Sequence, residues 1–589
     1  MTSGGGSRSA GTAPAGTAPA GTAAAAAILI VLLAIAAAHA AARSWDLWWH
    51  LETGEQIAAS ASVPRADDFS FTSRGVPWTD HEWLFQLLMH WAWTALGPPG
   101  LALLKWCAAF AAALTGYVAL RRAGAGAGLG LTIVALCIVG LRFRLTERPE
   151  LATIAMAPAV AALTLSLAGR PSKPLLRLLA LASLAVLWVN MHAGALLAPL
   201  LAVACALGAA AGMLRRGSGH GPAGLDGLGA TSLAALVTAL ALLVNPYGGR
   251  IYAVPLEIAR ALAPQNLLNP EWVSPPLLKF PFLYVVVAGC AALAFAALRA
   301  GAPGSCARVA MLVVTSALAL WSVRHIGVFY AILPVVLFPA ALRPAGRRVP
   351  MLAGCAVGAA AAVFMFLVPP GGAQSGFGIA SSRFPEAAAD FVAGHLGDAR
   401  LYNDVRFGGY LIWRGYPERR VFIDGRNEVH ARLLADLAAA LDDARLWDEL
   451  LDRHGVEGAV VGYRDEAVRL QDGSVSTFSQ THFPKRKWAL AHWDDVAMVF
   501  VRREGRFADL AAARDASIQP EAFRLGLGKP EQPSASTADE AILNEIIRKL
   551  ADDPDCTLAK SMASVYGIGE SIPTPERGRT GSHAPGSPP

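Results

Sequence analysis

The stretch "AAAAAILIVLLAIAAAHAAARSWDLWWHLETGE", residues 23–55, decides the fold class. Residues 23–42 are apolar and long enough to cross a bilayer, which takes roughly 17 to 25 helical residues. Directly beyond them stand Asp46, His50, Glu52 and Glu55 among Trp45, Trp48 and Trp49. Tryptophans gather at membrane interfaces because their rings are apolar with one polar edge. A carboxylate is poorly hydrated at that depth, so Asp46 calls for a role of its own.

The rest of the chain agrees with a membrane protein. Of its 589 residues 54% are hydrophobic and only 16% charged, and the mean hydropathy is +0.42. Such a composition excludes a soluble globular domain. The net charge of +6 lies in short Lys/Arg clusters between apolar segments rather than in a stripe or tail, which speaks against nucleic acid and for membrane topology. Seven cysteines form no CxxC pair, and Cys107, Cys137, Cys205, Cys290 and Cys355 fall inside apolar runs. No disulfide framework is implied.

Apolar segments near 23–42, 99–120, 125–141, 150–169, 175–190, 194–214, 228–244, 281–299, 308–323, 326–342 and 350–368 predict an α-helical polytopic membrane protein of about eleven transmembrane helices. Residues 1–22 are a low-complexity Ala/Gly/Pro/Thr leader, expected to be disordered, and the first span reads as an uncleaved helix. With the first loop, 43–98, placed outside the cytoplasm, every second later connection is basic: Arg121 and Arg122; Arg170, Lys173 and Arg177; Arg215 and Arg216; Arg299 and Arg308; Arg343, Arg347 and Arg348. That is the positive-inside pattern. For it to hold, "HEWLFQLLMHWAWTALG" lies in the interface rather than spanning. The region 23–368 is thus the transmembrane domain, 380–505 a small extracytoplasmic α/β domain, and 506–589 a flexible tail with one amphipathic helix near 538–553.

The opposite loops carry the chemistry. They hold "SWDLWWHLE", "WTDHEW", "LTERPE", "VNMHAG", "VNPYGG", "NPEWVSPP" and "VRHIG". His50 lies four residues beyond Asp46, hence on the same face of a helix. Asp80, His81 and Glu82 add oxygen and nitrogen donors of the kind a divalent ion accepts, although Asp80 equally suits a helix cap and the sequence requires no metal. Arg148 and Arg324 stand outside against the usual charge bias, and a guanidinium fork matches phosphate oxygens; the alternative is ion pairing with Glu147, Glu150 or Glu271. Asn190, His192 and His325 sit where the chain turns between spans, and Asn245 and Tyr247 lie in a turn signature. Tyr410, Trp413 and Phe422 read as core, whereas Asp424 and Arg426 read as loop residues facing an acceptor. "GAGAGLG" at 124–130 has no strand before it and is not a dinucleotide fingerprint.

The acidic first external loop, about eleven spans and a C-terminal external domain, with "DLWWHLETGE", "PWTDHEWL", "RPE", "NMHAG", "NPYG" and "FGGYLIW…VFIDGR", resemble the GT-C superfamily of membrane glycosyltransferases and a group of uncharacterised bacterial membrane proteins near it. The resemblance covers roughly residues 23–505. It implies a catalytic acid just after the first span, matched by Asp46, a polyprenyl-phosphate sugar as donor and a lipid, glycan or protein as acceptor. The inner membrane is the implied location. The chain departs from the pattern in lacking an adjacent Asp-Glu pair and a clear "WWDYG". On the residues themselves, Asp46, His50, Asp80 and Glu82 are the catalytic candidates. Arg148, Asn190, His192, Asn245, Tyr247, Arg324 and His325 are the substrate-binding candidates. The competing class is a non-catalytic transporter or scaffold, which the loop placement of the acids and the lack of an internal repeat disfavour.

Overall fold

The computed structural model describes residues 20–169, 172–216, 223–262, 271–302, 304–337, 349–469, 473–527 and 537–568. Nearly all of the leader, Arg170 and the basic loop of Arg343, Arg347 and Arg348 lie outside the described residues. The chain divides into two compact units. The first comprises Met1–Phe69, Ser73–Ser381 and Gly425–Ala438; the second comprises Ser70–Thr72, Ser382–Asp424 and Ala439–Pro589.

The first unit is helical. Its helices are α1 (Ala20–Ala38), α2 (Leu47–Ser60), α3 (Trp83–Leu96), α4 (Pro98–Arg122), α5 (Ala127–Leu141), α6 (Glu150–Leu167), α7 (Pro174–Val189), α8 (Leu197–Arg216), α9 (Ala223–Ala241), α10 (Val254–Leu262), α11 (Pro281–Arg299), α12 (Ser305–Trp321), α13 (Ile326–Val336) and α14 (Met351–Leu367). Among the described residues, seven helical segments are long and apolar enough to cross a membrane, and four shorter apolar helices run over Pro174–Val189, Asp226–Ala241, Ser305–Trp321 and Val323–Val336. This is an integral membrane protein.

Local sequence explains the joints. Gly97, at φ +62, turns the chain between α3 and α4, and Pro98 and Pro99 open α4 where their missing N–H groups cost nothing. The pair α2 and α3 pack on each other, and α3 is a 14-residue helix, shorter than a span.

Small residues set the close approaches that lipid-soluble helices need. A Cβ on Gly128 would strike the backbone of Pro350, and one on Gly354 would strike Gly128 itself, so α5 and α14 touch backbone to backbone. All eleven residues of α13 are buried, against α4, α5, α6 and α12. The shortest of the apolar helices is therefore the core of the bundle.

The second unit is α/β. Strands β1 (Leu401–Asn403), β2 (Gly458–Gly462), β5 (Trp488–Trp493) and β6 (Ala497–Arg502) form a sheet in the order β1-β2-β6-β5, and β3 (Val468–Arg469) pairs with β4 (Val475–Ser476). β1 and β2 are parallel and the other neighbours antiparallel. β2 is buried along its whole length, as a strand covered on both faces should be.

Tyr410 and Phe422 are core residues here, as their apolar setting predicts. Asp424 is fully buried, which corrects its reading as a loop residue facing an acceptor.

The segment from 506, expected to be a flexible tail, carries helices Ala508–Arg514, Pro520–Arg524, Thr537–Asp552 and Thr557–Val565. Ile546, Leu550 and Met562 are buried, and Glu545 accepts hydrogen bonds from Trp493 Nε1 at 3.2 Å and Ser517 N at 2.8 Å. An amphipathic stripe finds its cover in the unit that precedes it.

Candidate functional site

The exit from α1 is built to hold one carboxylate in place. Lys105, buried in α4, donates to Ala40 O at 2.6 Å and pairs with Glu147 at 2.7 Å. Glu147 in turn accepts from Arg43 N at 3.0 Å and Ser44 N at 3.4 Å. Burial alone would raise the Glu147 carboxyl; the Lys105 ammonium and the backbone donors hold it below its usual value. The backbone from Ala40 to Ser44 is thereby tied to two other parts of the bundle, and Asp46 follows it by two residues.

Asp46 meets Arg148 there. The Arg148 guanidinium reaches Asp46 Oδ2 at 3.0 Å, Glu271 Oε1 at 2.8 Å and Ser44 Oγ at 2.9 Å. Trp49 Nε1 donates to Asp46 Oδ1 at 3.3 Å. Arg144 pairs with Glu271 at 3.0 Å and, closely, with Glu150. Burial pushes Glu271 up, but Arg148, Arg144 and Arg324 outweigh it and hold the carboxyl below the usual carboxylate range. A side chain at position 425 would collide with Asp46 Oδ1 where that segment passes, so Gly425 lets Asp46 keep this orientation. Its neighbour Arg426 is buried against Asp67, between Phe69 and Trp78. That places Arg426 in a packed ion pair, a correction to its reading as an acceptor-facing loop residue.

A second cluster forms around Glu82. The Nε2 atoms of His81, His192 and His50 stand 3.6, 3.8 and 3.9 Å from its carboxylate oxygens. The hydrogen-bond network fixes the proton on one of these rings and orients a second. Thr153 Oγ1 accepts from Trp188 Nε1 and turns its own proton to His192 Nδ1, which leaves His192 Nε2–H aimed at Glu82. His81 Nδ1–H donates to Thr79 O at 3.2 Å, which turns its Nε2 toward Glu82.

Burial, with Arg148 and His81, lowers His50 well below its ordinary value, and burial, with Arg324, lowers His192 likewise. Both are neutral imidazoles near pH 7. Burial raises Glu82, against the pull of His81 and Arg324. Asp80 is raised further by burial and by Glu82; its Oδ1 accepts from Gln86 Nε2 at 2.8 Å, while its Oδ2 has no partner among the described residues.

The sequence candidates thus separate by role. Asp46, His50, Asp80, Glu82, Arg148 and His192 come into these two clusters, and Arg324 acts electrostatically on Glu82, His192 and Glu271. Arg324 stacks over Trp272 at 5.2 Å and makes no ion pair among the described residues.

Asn190 and Asn245 make local hydrogen bonds and line one groove of the first unit. Asn190 bonds Trp83 Nε1, Val186 O and Val244 O, and Asn245 closes its own turn on Leu242 O, Gly248 O and Tyr247 N. His325 stacks on Trp321. Tyr247 takes the Asp80 N–H at 3.0 Å.

Among the described residues no group of three or more His, Cys, Asp or Glu is arranged to hold a metal ion. Lys105 and Arg144 escaped sequence reading because each sits in or beside an apolar span. The signal available was the rarity of a lysine inside such a span.

No protein-family profile matches the chain. Two curated Mycobacterium tuberculosis proteins, "Uncharacterized protein Rv2100" of strain H37Rv and "Uncharacterized protein MT2160" of strain CDC 1551, are each 26% identical over 217 residues, 34% of this chain. The match spans 37% of the length of those relatives. Among solved structures, the chain is similar to the oligosaccharyltransferase AglB of Archaeoglobus fulgidus, in complex with an inhibitory peptide and a dolichol-phosphate. The TM-score is 0.49 at 10% identity, covering 90% of this chain and 85% of that one. It is also similar to ArnT of Cupriavidus metallidurans bound to undecaprenyl phosphate, with a TM-score of 0.43 at 12% identity, covering 81% and 97%. At these scores the likeness is a distant one of fold.

Proposed function

We propose that this chain is a membrane glycosyltransferase that passes a sugar from a polyprenyl-phosphate carrier to an extracytoplasmic acceptor. The observation that carries the reading is the meeting of Asp46 and Arg148, 3.0 Å apart though 102 positions separate them in sequence. Transfer needs a base for the acceptor hydroxyl and cations for the departing phosphate, side by side. Arg148 and Arg324 supply the cations. An incoming phosphate competes with Asp46 for the Arg148 fork and frees the carboxylate to take the acceptor's proton. The acceptor oxygen then bonds to the anomeric carbon, the carbon–oxygen bond to phosphate breaks, and the phosphate leaves with the electron pair; direct displacement inverts the anomeric centre. Glu82, with the His192 N–H beside it, offers the acceptor-and-donor pattern that binds sugar hydroxyls.

In this reading the four shorter apolar helices also cross, giving eleven spans with the seven longer ones. The second unit, with its 380–505 domain, stands outside the cytoplasm, and the membrane is the bacterial inner membrane. Sugar and acceptor are not specified by the residues.

The test supplies membranes with a labelled polyprenyl-phosphate sugar and follows label onto acceptors. Asp46→Asn keeps the shape and loses the base, so transfer should fall about 10²- to 10⁴-fold. Unchanged transfer would remove Asp46 from the chemistry. The saturated Asp46–Arg148 pair also suits a scaffold with a structural latch; that reading leads if the wild type transfers nothing.

A further inference from the structure

Away from Asp46, the first unit carries a groove of about 820 Å³ lined by Ser183, Val186 and Leu187 of α7, by Val244 and Pro246 after α9, and by Trp83 at the start of α3. That volume falls within the roughly 300–1,000 Å³ of small-molecule sites. Leu187 on α7 and Val244 just after α9 are exposed, so where α7 crosses the bilayer, as in the reading above, a lipid chain reaches the groove without leaving the membrane.

The groove also has a charged end. Arg65 Nη2 lies 3.4 Å from Pro246 O, and its guanidinium sits over the Tyr247 ring at 5.6 Å. Arg250 begins three residues beyond Tyr247, half exposed, its Nε 3.8 Å from the exposed Glu257. Arg65 thus covers the Tyr247 ring, and Arg250 is near enough to act electrostatically, with Arg65, on the same phenol. Arg65 has no carboxylate partner among the described residues. An exposed pair such as Arg250–Glu257 is worth little and yields readily to a phosphate.

We infer that this groove binds one anionic phospholipid, its acyl chain along α7 and its phosphate between Arg65 and Arg250. Apolar lining and a two-arginine rim match the two halves of such a lipid, and a zwitterionic lipid satisfies only the first. The site is independent of the transferase reading. It meets the candidate active site at two bonds: Tyr247 Oη accepts from Asp80 N at 3.0 Å, and Trp83 Nε1 donates to Asn190 Oδ1 at 3.0 Å in the groove wall, with Glu82 one residue before Trp83 and His192 two after Asn190.

The experiment is native mass spectrometry of the full-length protein in detergent, titrated with phosphatidylglycerol, phosphatidylcholine, undecaprenyl phosphate and inorganic phosphate. Phosphatidylglycerol should be retained over phosphatidylcholine, and Arg65→Ala and Arg250→Ala should each weaken it about fivefold. Ser183→Trp fills the groove from its exposed side, leaves both arginines in place and should also displace the lipid. Equal retention of the two phospholipids, or indifference to all three variants, would overturn the proposal. Displacement by undecaprenyl phosphate at equal or lower concentration would give the groove to the sugar carrier instead, and displacement by inorganic phosphate would reduce it to a phosphate site. Sugar transfer, measured separately, reports on the active site alone.

Discussion

Arg148 holds Asp46 at 3.0 Å and Glu271 at 2.8 Å with the two arms of one guanidinium. A planar fork does this and a lysine ammonium does not. Arg148→Lys should keep the charge and lose the geometry. Sugar transfer is expected to fall about 10²- to 10³-fold, the usual effect of removing a preorganised donor at a developing anion. Arg148→Gln should be no better than the lysine variant. Wild-type transfer by Arg148→Lys would show that charge alone suffices.

Glu52 offers a stability test with a defined sign. Burial first, and Glu55 second, push its carboxyl up to about 7 from an ordinary value near 4.5. The folded state therefore disfavours the ionised form. The resulting penalty is absent below about pH 4.5, grows between there and pH 7, and is complete above. Glu52→Gln should raise Tm at pH 8 and leave it unchanged at pH 4. Thermal unfolding in detergent at both values decides it, and a Tm that drops at pH 8 would contradict the assignment.

How much of this was legible beforehand follows from range. Spans and basic loops are local signals, so the helices α1, α4, α5, α6 and α8 fall where hydropathy puts them. The loops bearing Asp46, Glu82, Arg148, His192 and Arg324 were visible as a chemical vocabulary. Their grouping was not, since the Asp46–Arg148–Glu271 contact joins residues up to 225 positions apart. Glu271 read as an ion-pair partner, which it is; that it shares Arg148 with Asp46 required the fold. Asn190, read as a cavity residue, and Asn245, read as a turn residue, both line the groove beside α7 while their amides close local hydrogen bonds. Of the packed helices after residue 506 the amphipathic one near 538–553 was legible, and the others were missed because their apolar positions are sparse and their partner is the preceding sheet.

Lys105 and Glu147 test the positioning of the Asp46 backbone. Removing one member of a buried pair leaves the other charge uncompensated, at a cost of about 3–5 kcal/mol. Lys105→Met should lower Tm markedly. Because Glu147 stays ionised to unusually low pH in the intact pair, the wild type keeps this contribution above about pH 4.5 and loses it only as pH falls through the depressed value. The double variant Lys105→Met/Glu147→Gln should recover most of the lost stability. If the double variant is as unstable as the single one, the pair matters for packing rather than charge.

Glu82 sets the last expectation, the acid side of the rate profile. Its carboxyl must be ionised to accept hydrogen bonds from a sugar, and burial raises it above the ordinary value near 4.5. Activity is then lost as pH falls through that raised value, so the acid limb should lie above pH 4.5. Glu82→Gln removes the titration and keeps the shape. It should lower kcat/KM by about 10- to 100-fold, the effect of one lost charge-assisted hydrogen bond at about 1.5–3 kcal/mol, and flatten the acid limb. His192→Ala should cost less than Glu82→Gln, and the two together should cost less than their sum, because the His192 N–H and the Glu82 carboxylate address each other at 3.8 Å. Strict additivity would separate the two residues, and an acid limb that survives in Glu82→Gln would assign it to another carboxylate, with the strongly raised Asp80 next in line.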